Sequence, residues 1–231
     1  MNHFDEKPWI NKLEEIGPFS IWLVDGGWIR KYDQKEFTNF AQFRHPLFKE
    51  IIPENEFWID QGSTPEEHQF FIEHMLYENH LQGRGMAFKK AEEEATRVEE
   101  RERHRGNPKF GQDLKRKPLI DAIELQSLGK AGNAEIFLVD GKKVRDHLDP
   151  RFCHGGHSQI YDYVPDEHIW IDDTVIPHER PYIIMHESGE YTDMAMGMEY
   201  LKSHPKWSRM EWKCRHDPEE LLRQQKQLGL V

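Results

Sequence analysis

His186-Glu187-x-x-Glu190, followed by His204, is the set of residues in this 231-residue chain best suited to holding a metal ion. The segment Tyr182-Ile183-Ile184-Met185 that precedes it has the composition of a buried helix. At about 3.6 residues per turn, positions four apart share a helix face, so His186 and Glu190 can reach one ion. Imidazole nitrogen and carboxylate oxygen both ligate zinc, and three protein ligands leave a fourth position open. His204 lies beyond a turn signal at Gly197, so a returning second helix brings it back over the first as a third ligand. Glu211, further along that second helix, falls on the face of His204 and can accept the spare imidazole N–H. Glu187 adjoins the first ligand, where a general base would take a proton from water. The chemistry implied is single-metal hydrolysis.

These residues resemble the zincin metallopeptidases, whose motif is His-Glu-x-x-His on a helix with one later ligand. The resemblance covers the active helix and the helix after it, and departs from the pattern at Glu190, which stands where the second histidine would be. It implies a zincin-like fold, Zn2+ or another divalent transition metal as cofactor, and a peptide or protein substrate. It also implies His186 and Glu190 as ligands and Glu187 as the base; His204 is placed by geometry alone. The segment Phe152-Cys153-His154-Gly155-Gly156-His157 adds a second catalytic candidate. His157 can orient a substrate carbonyl, stabilise an oxyanion or serve as a further ligand. Gly155 and Gly156 would allow close backbone approach to a ligand.

The elements that must position these groups occur twice. Ile21-Trp22-Leu23-Val24-Asp25-Gly26-Gly27-Trp28-Ile29-Arg30 matches Ile136-Phe137-Leu138-Val139-Asp140-Gly141-Lys142-Lys143-Val144-Arg145 at six of ten positions. Phe37 keeps that register with Phe152. After a three-residue difference, Pro53–Asp60 matches Pro165–Asp172. The match then runs without a gap through Glu67/Glu179, His74/His186, Glu78/Glu190, Gly85/Gly197, Glu99/Glu211 and Arg103/Arg215. Chance does not hold one register so long, and the chain is a tandem duplication. Only the second copy keeps the chemistry: Met75 replaces Glu187, Glu92 replaces His204, and Phe37–Gln42 lacks the histidines and glycines of residues 152–157.

Each copy reads as α+β, a small antiparallel sheet plus helices. The β-branched run ending in Val-Asp-Gly predicts a strand, a turn and a second strand as a hairpin. Ile160–Val164 and His168–Asp172 predict a further strand pair. A helix should begin near Pro177 or Glu179 and end around Gly197, as its counterpart should around Gly85. Second helices are expected at 87–104 and 203–215, the latter capped by Ser203 with Pro205 in its first turn. The domain layout is 1–104 as the first, degenerate repeat, 105–117 as linker, 118–215 as the second repeat and 216–231 as a C-terminal helix.

Composition excludes several classes. The net charge of −11 argues against a dedicated nucleic-acid binder, which needs a cationic footprint. No apolar stretch is long enough for a membrane span, and the N-terminal residues do not read as a secretory signal. Two cysteines imply no disulfide framework, which points to the cytoplasm. The competing reading is a non-catalytic acidic protein that binds other proteins or serves a structural role, of a kind a virus would encode. There the cluster would be a structural metal site or a salt-bridge network. His-Glu-x-x-Glu is common on solvated helices, and a buried cluster with Arg180 or Arg209 would satisfy its charges without metal.

Overall fold

In both copies the Ile-x-Leu-Val run becomes the inner strand of a hairpin. The computed structural model describes residues 8–32, 36–105 and 116–231, and the chain divides into two units, Met1–Phe110 and Gly111–Val231. The first contains β1 (Trp9–Ile16), β2 (Phe19–Val24), α1 (Gly26–Tyr32), β3 (Ala41–Phe43), β4 (Glu56–Asp60), α2 (Pro65–Gly83) and α3 (Phe88–Arg105). The second contains α4 (Arg116–Ile123), β5 (Glu124–Ala131), β6 (Ala134–Val139), α5 (Gly141–His147), β7 (Gly155–His157) and β8 (His168–Asp172). It ends with α6 (Arg180–Ala195), α7 (Tyr200–His216) and α8 (Pro218–Gln227). The expected linker 105–117 lies outside the described residues except at its ends, where Arg105 closes α3 and Arg116 opens α4.

The two sheets have the same order, β1-β2-β4-β3 and β5-β6-β8-β7. Ile21 pairs with Phe57 as Ile136 pairs with Ile169, and the irregularities in β1 recur at the matching places in β5. The α+β class holds, but the sheets are mixed and not antiparallel. β2 and β4 run parallel, as do β6 and β8. The cause lies after Val-Asp-Gly, where the expected second hairpin strand is instead a helix. Asp25 and Asp140 accept the backbone N–H groups of Trp28 and Lys143 at 2.9 Å, which is helix capping. The chain then crosses over, which parallel pairing requires.

The hairpins lie one strand earlier, β1 with β2 and β5 with β6. The outer strands β1 and β5 are polar and largely exposed, so no apolar alternation announces them. Ile160–Val164 is a turn and not a strand: the N–H groups of Ile160 and Tyr161 both bond the His157 carbonyl at 3.0 Å.

The helix that follows each Asp-Gly is locked to the sheet. Arg30 reaches Asp60 at 2.7 Å, and Arg145 reaches Asp172, all four side chains being buried. A Cβ on Gly26 or Gly141 would lie about 2 Å from those carboxylates, so only glycine fits. The opposite sheet face carries Ile21, Phe57 and Ile59 in the first unit and Ile136, Ile169 and Ile171 in the second, packed against Ile72 and Met75 of α2 and Ile183 of α6 respectively. That packing seats α2 and α6. Both helices end just before a glycine with positive φ, Gly85 at 86° and Gly197 at 92°, where residues with a Cβ are disfavoured. α7 begins earlier than expected: Glu199 is its cap, Ser203 is buried within it, and Pro205 falls in its second turn. Among the described residues, no helix is long and apolar enough to cross a membrane.

Candidate metal centre

α6 and α7 bring His186, Glu190 and His204 together. His186 Nε2 lies 3.3 Å from Glu190 Oε2 and 3.4 Å from His204 Nδ1, and the last two atoms are 2.9 Å apart. A tetrahedral zinc with bonds of about 2.0–2.1 Å separates its ligand atoms by about 3.3 Å, so this triangle is of the right size. Among the described residues, no other group of three His, Cys, Asp or Glu side chains gathers donor atoms this closely. His186 and Glu190 are buried, whereas His204 is about one-third exposed and faces Tyr200 in a stack at 5.1 Å.

The donors are held from behind. Glu211, expected on the face of His204, instead takes His186 Nδ1 with its Oε2 at 2.8 Å. Its other oxygen is taken by Arg215 at 3.1 Å from Nε and 2.7 Å from Nη2. Arg215 Nη1 in turn sits 2.8 Å from both oxygens of Glu179, with the guanidinium over the Tyr182 ring. Arg215 therefore holds the place foreseen for Arg180 or Arg209; Arg180 bonds the carbonyls of Val175 and Asp173. Burial opposes charge throughout, but the hydrogen bonds outweigh it. His186 is raised to about 10 by Glu190 and Glu211. Glu190 and Glu211 are held well below the usual carboxylate range, by three histidines and by Arg215 with His186 respectively.

His157 is fully buried, and its Nε2 lies 3.3 Å from Glu190 Oε1, the oxygen turned away from the three-donor triangle. Its ring stands edge-on to Tyr191 at 5.7 Å. The neighbouring glycines admit protein and not a ligand. A Cβ on Gly155 would meet Glu187 Cγ at 3.0 Å, and one on Gly156 would meet the Tyr161 ring at 2.3 Å. Glu187 thus lies half-buried between α6 and β7. Burial lifts its pKa, the charge of Glu190 adds to the lift, and His186 opposes it.

The first unit supplies an internal comparison. His74 Nδ1 meets Glu99 Oε2 at 2.8 Å, Arg103 Nε meets Glu99 Oε1 at 2.8 Å, and Arg103 Nη1 meets Glu67 at 2.9 Å. Phe70 lies beneath that guanidinium as Tyr182 does beneath Arg215. The chain of partners is therefore duplicated, and the two units differ at its other end. The registers of β3 on β4 and of β7 on β8 make Phe43, not Gln42, the counterpart of His157. In the first unit Phe43 and Met75 share an apolar cluster; in the second the same places hold His157 and Glu187. Compared with protein-family models, with curated proteins and with solved structures, the chain matches none.

Proposed function

We propose that the second unit is a single-metal hydrolase of zincin-like design that cleaves a peptide or amide bond in a peptide or protein. The observation that carries this reading is the donor triangle of His186 Nε2, Glu190 Oε2 and His204 Nδ1, whose edges of 3.3, 3.4 and 2.9 Å suit one tetrahedral ion. Two imidazoles, giving up their donor-atom protons as an ion binds, and one carboxylate would suit zinc or a similar divalent transition metal. An ion held there by His186, Glu190 and His204 would supply Lewis acidity towards the scissile carbonyl. Glu187, beside His186 on α6, takes a proton from the attacking water as its oxygen bonds to the amide carbon. It then returns that proton to the leaving nitrogen as the C–N bond breaks. In this reading His157 does not touch substrate: its contact with Glu190 Oε1 leaves Oε2 for the ion. The free thiols Cys153 and Cys214 accord with a cytoplasmic setting.

The test is elemental analysis of protein purified without a histidine tag. About one zinc per chain is expected, lost in His186→Ala and in His204→Ala, together with zinc-dependent cleavage of dye-labelled casein. A second reading is favoured by the duplicated His-Glu-Arg-Glu chain, which the first unit keeps without a third ligand. It makes the cluster a buried ion network in a non-catalytic protein-binding or structural protein. Zinc-free protein with no casein cleavage would establish that reading over the first.

A further inference from the structure

We infer that Glu179, Arg215 and Glu211 form a positioning relay that sets the tautomer and orientation of His186, an inference that rests on the metal reading above. Glu211 reaches two groups through two different oxygens. Arg215 occupies Oε1 with Nε and Nη2, which leaves Oε2 for His186 Nδ1 at 2.8 Å. An ionised carboxylate only accepts, so the proton of a neutral His186 must sit on Nδ1 and its lone pair on Nε2. Nε2 is the atom in the donor triangle. Glu179 holds the guanidinium at 2.8 Å from both its oxygens, and Tyr182 supports it from one face. With Arg215 fixed, the plane of Glu211 is fixed, and through it the imidazole ring. Glu179 lies at the start of α6, Arg215 at the end of α7, and His186 between them on α6. The relay therefore ties the helix carrying two ligands to the helix carrying the third.

The same four-membered relay in the first unit, His74-Glu99-Arg103-Glu67, serves as the matched control. Lysine keeps the charge of arginine but loses its planar fork, so it should release Glu211 without leaving a buried carboxylate uncompensated. The experiment measures zinc dissociation constants by competition with a chromophoric chelator, and melting temperatures with zinc removed, for Arg215→Lys and Arg103→Lys. Expected is a loss of about 10–100-fold in zinc affinity for Arg215→Lys, the usual effect of removing an outer partner of a ligand histidine. Arg103→Lys should lower thermal stability comparably and leave zinc affinity unchanged. Should Arg215→Lys fail to fold, Glu179→Gln with Glu67→Gln as control gives the same readout. Unchanged zinc affinity in the second-unit variant, or equal loss in both, overturns the relay while leaving the metal centre standing. Absence of zinc binding by the wild type overturns the metal reading itself, and the relay with it.

Discussion

Glu187→Gln should separate catalysis from folding more sharply than any ligand change, because Glu187 lies outside the donor triangle. Glutamine has nearly the same shape, so the packing of Gly155 against its Cγ should survive. Losing a positioned base should lower the hydrolytic rate by about 10²–10⁴-fold, or about 2.7–5.5 kcal/mol of barrier. Stability should move the other way. Burial raises the Glu187 pKa, the Glu190 charge raises it further, and His186 opposes both. A carboxyl whose folded pKa is raised stabilises the fold fully only below its unfolded value, and that contribution is lost as pH rises. Near neutrality the ionised group therefore costs stability, which a neutral amide relieves. With zinc chelated at pH 7, Glu187→Gln should melt higher than wild type, and the gap should close on acidification towards pH 4. Casein cleavage, zinc content and chelated melting curves on the same preparations make the assay. An unchanged rate would refute the base assignment, and loss of zinc along with activity would show that Glu187 is a ligand.

Two further outcomes follow from the first unit. Partial burial of His74 would by itself lower its pKa, but hydrogen bonds to Glu78 and Glu99 raise it to about 9 from the ordinary 6.5. That interval corresponds to about 3 kcal/mol, present in full below pH 6.5 and lost as pH rises through about 9. Urea denaturation in chelator from pH 6 to 10 should thus show the advantage of wild type over His74→Gln fading on the alkaline side; a constant difference would refute the charged state of His74. Glu92→His should supply the missing third ligand and give a second zinc by elemental analysis, because His74 and Glu78 already lie 3.6 Å apart with the relay intact. Catalysis there should require Met75→Glu and Phe43→His together, since a carboxylate alone would be buried in an apolar cluster; a single added zinc failing to appear in Glu92→His would show that the two scaffolds are not equivalent.

Much of this was legible in the residues because it occurs twice. Glu67/Glu179, Glu99/Glu211 and Arg103/Arg215 match in register, and these charged pairs form the relay in each unit. The signal was there, but spacing tied only Glu211 to the cluster, and to the face of His204 rather than to His186; Arg215 lies one helical turn beyond it, and Glu179 belongs to the other helix. The local elements were less legible. Val-Asp-Gly is compatible with either a turn or a capped helix, and the choice is made by Arg30 and Arg145 reaching buried carboxylates far along the chain. The glycines of 155–156 suggest open space in a sequence, whereas their missing side chains make room for Glu187 and Tyr161. The three-residue difference between the copies hides the Phe43–His157 equivalence, because it is divided between the two sides of β3 and β7.

The duplicated relay has a consequence for how such a chain can change over generations. In the first unit the two long helices are joined by His74, Glu99, Arg103 and Glu67 with a methionine where the base would be and a glutamate where the last ligand would be. The fold of a unit therefore does not hang on its chemistry. Under the metal reading, substitutions at the places of residues 43, 75 and 92 would separate a copy without the site from one with it. None of them lies in the ion chain that pins the helices together. Changes at those places would therefore leave untouched the ion pairs that hold the two long helices of a unit together.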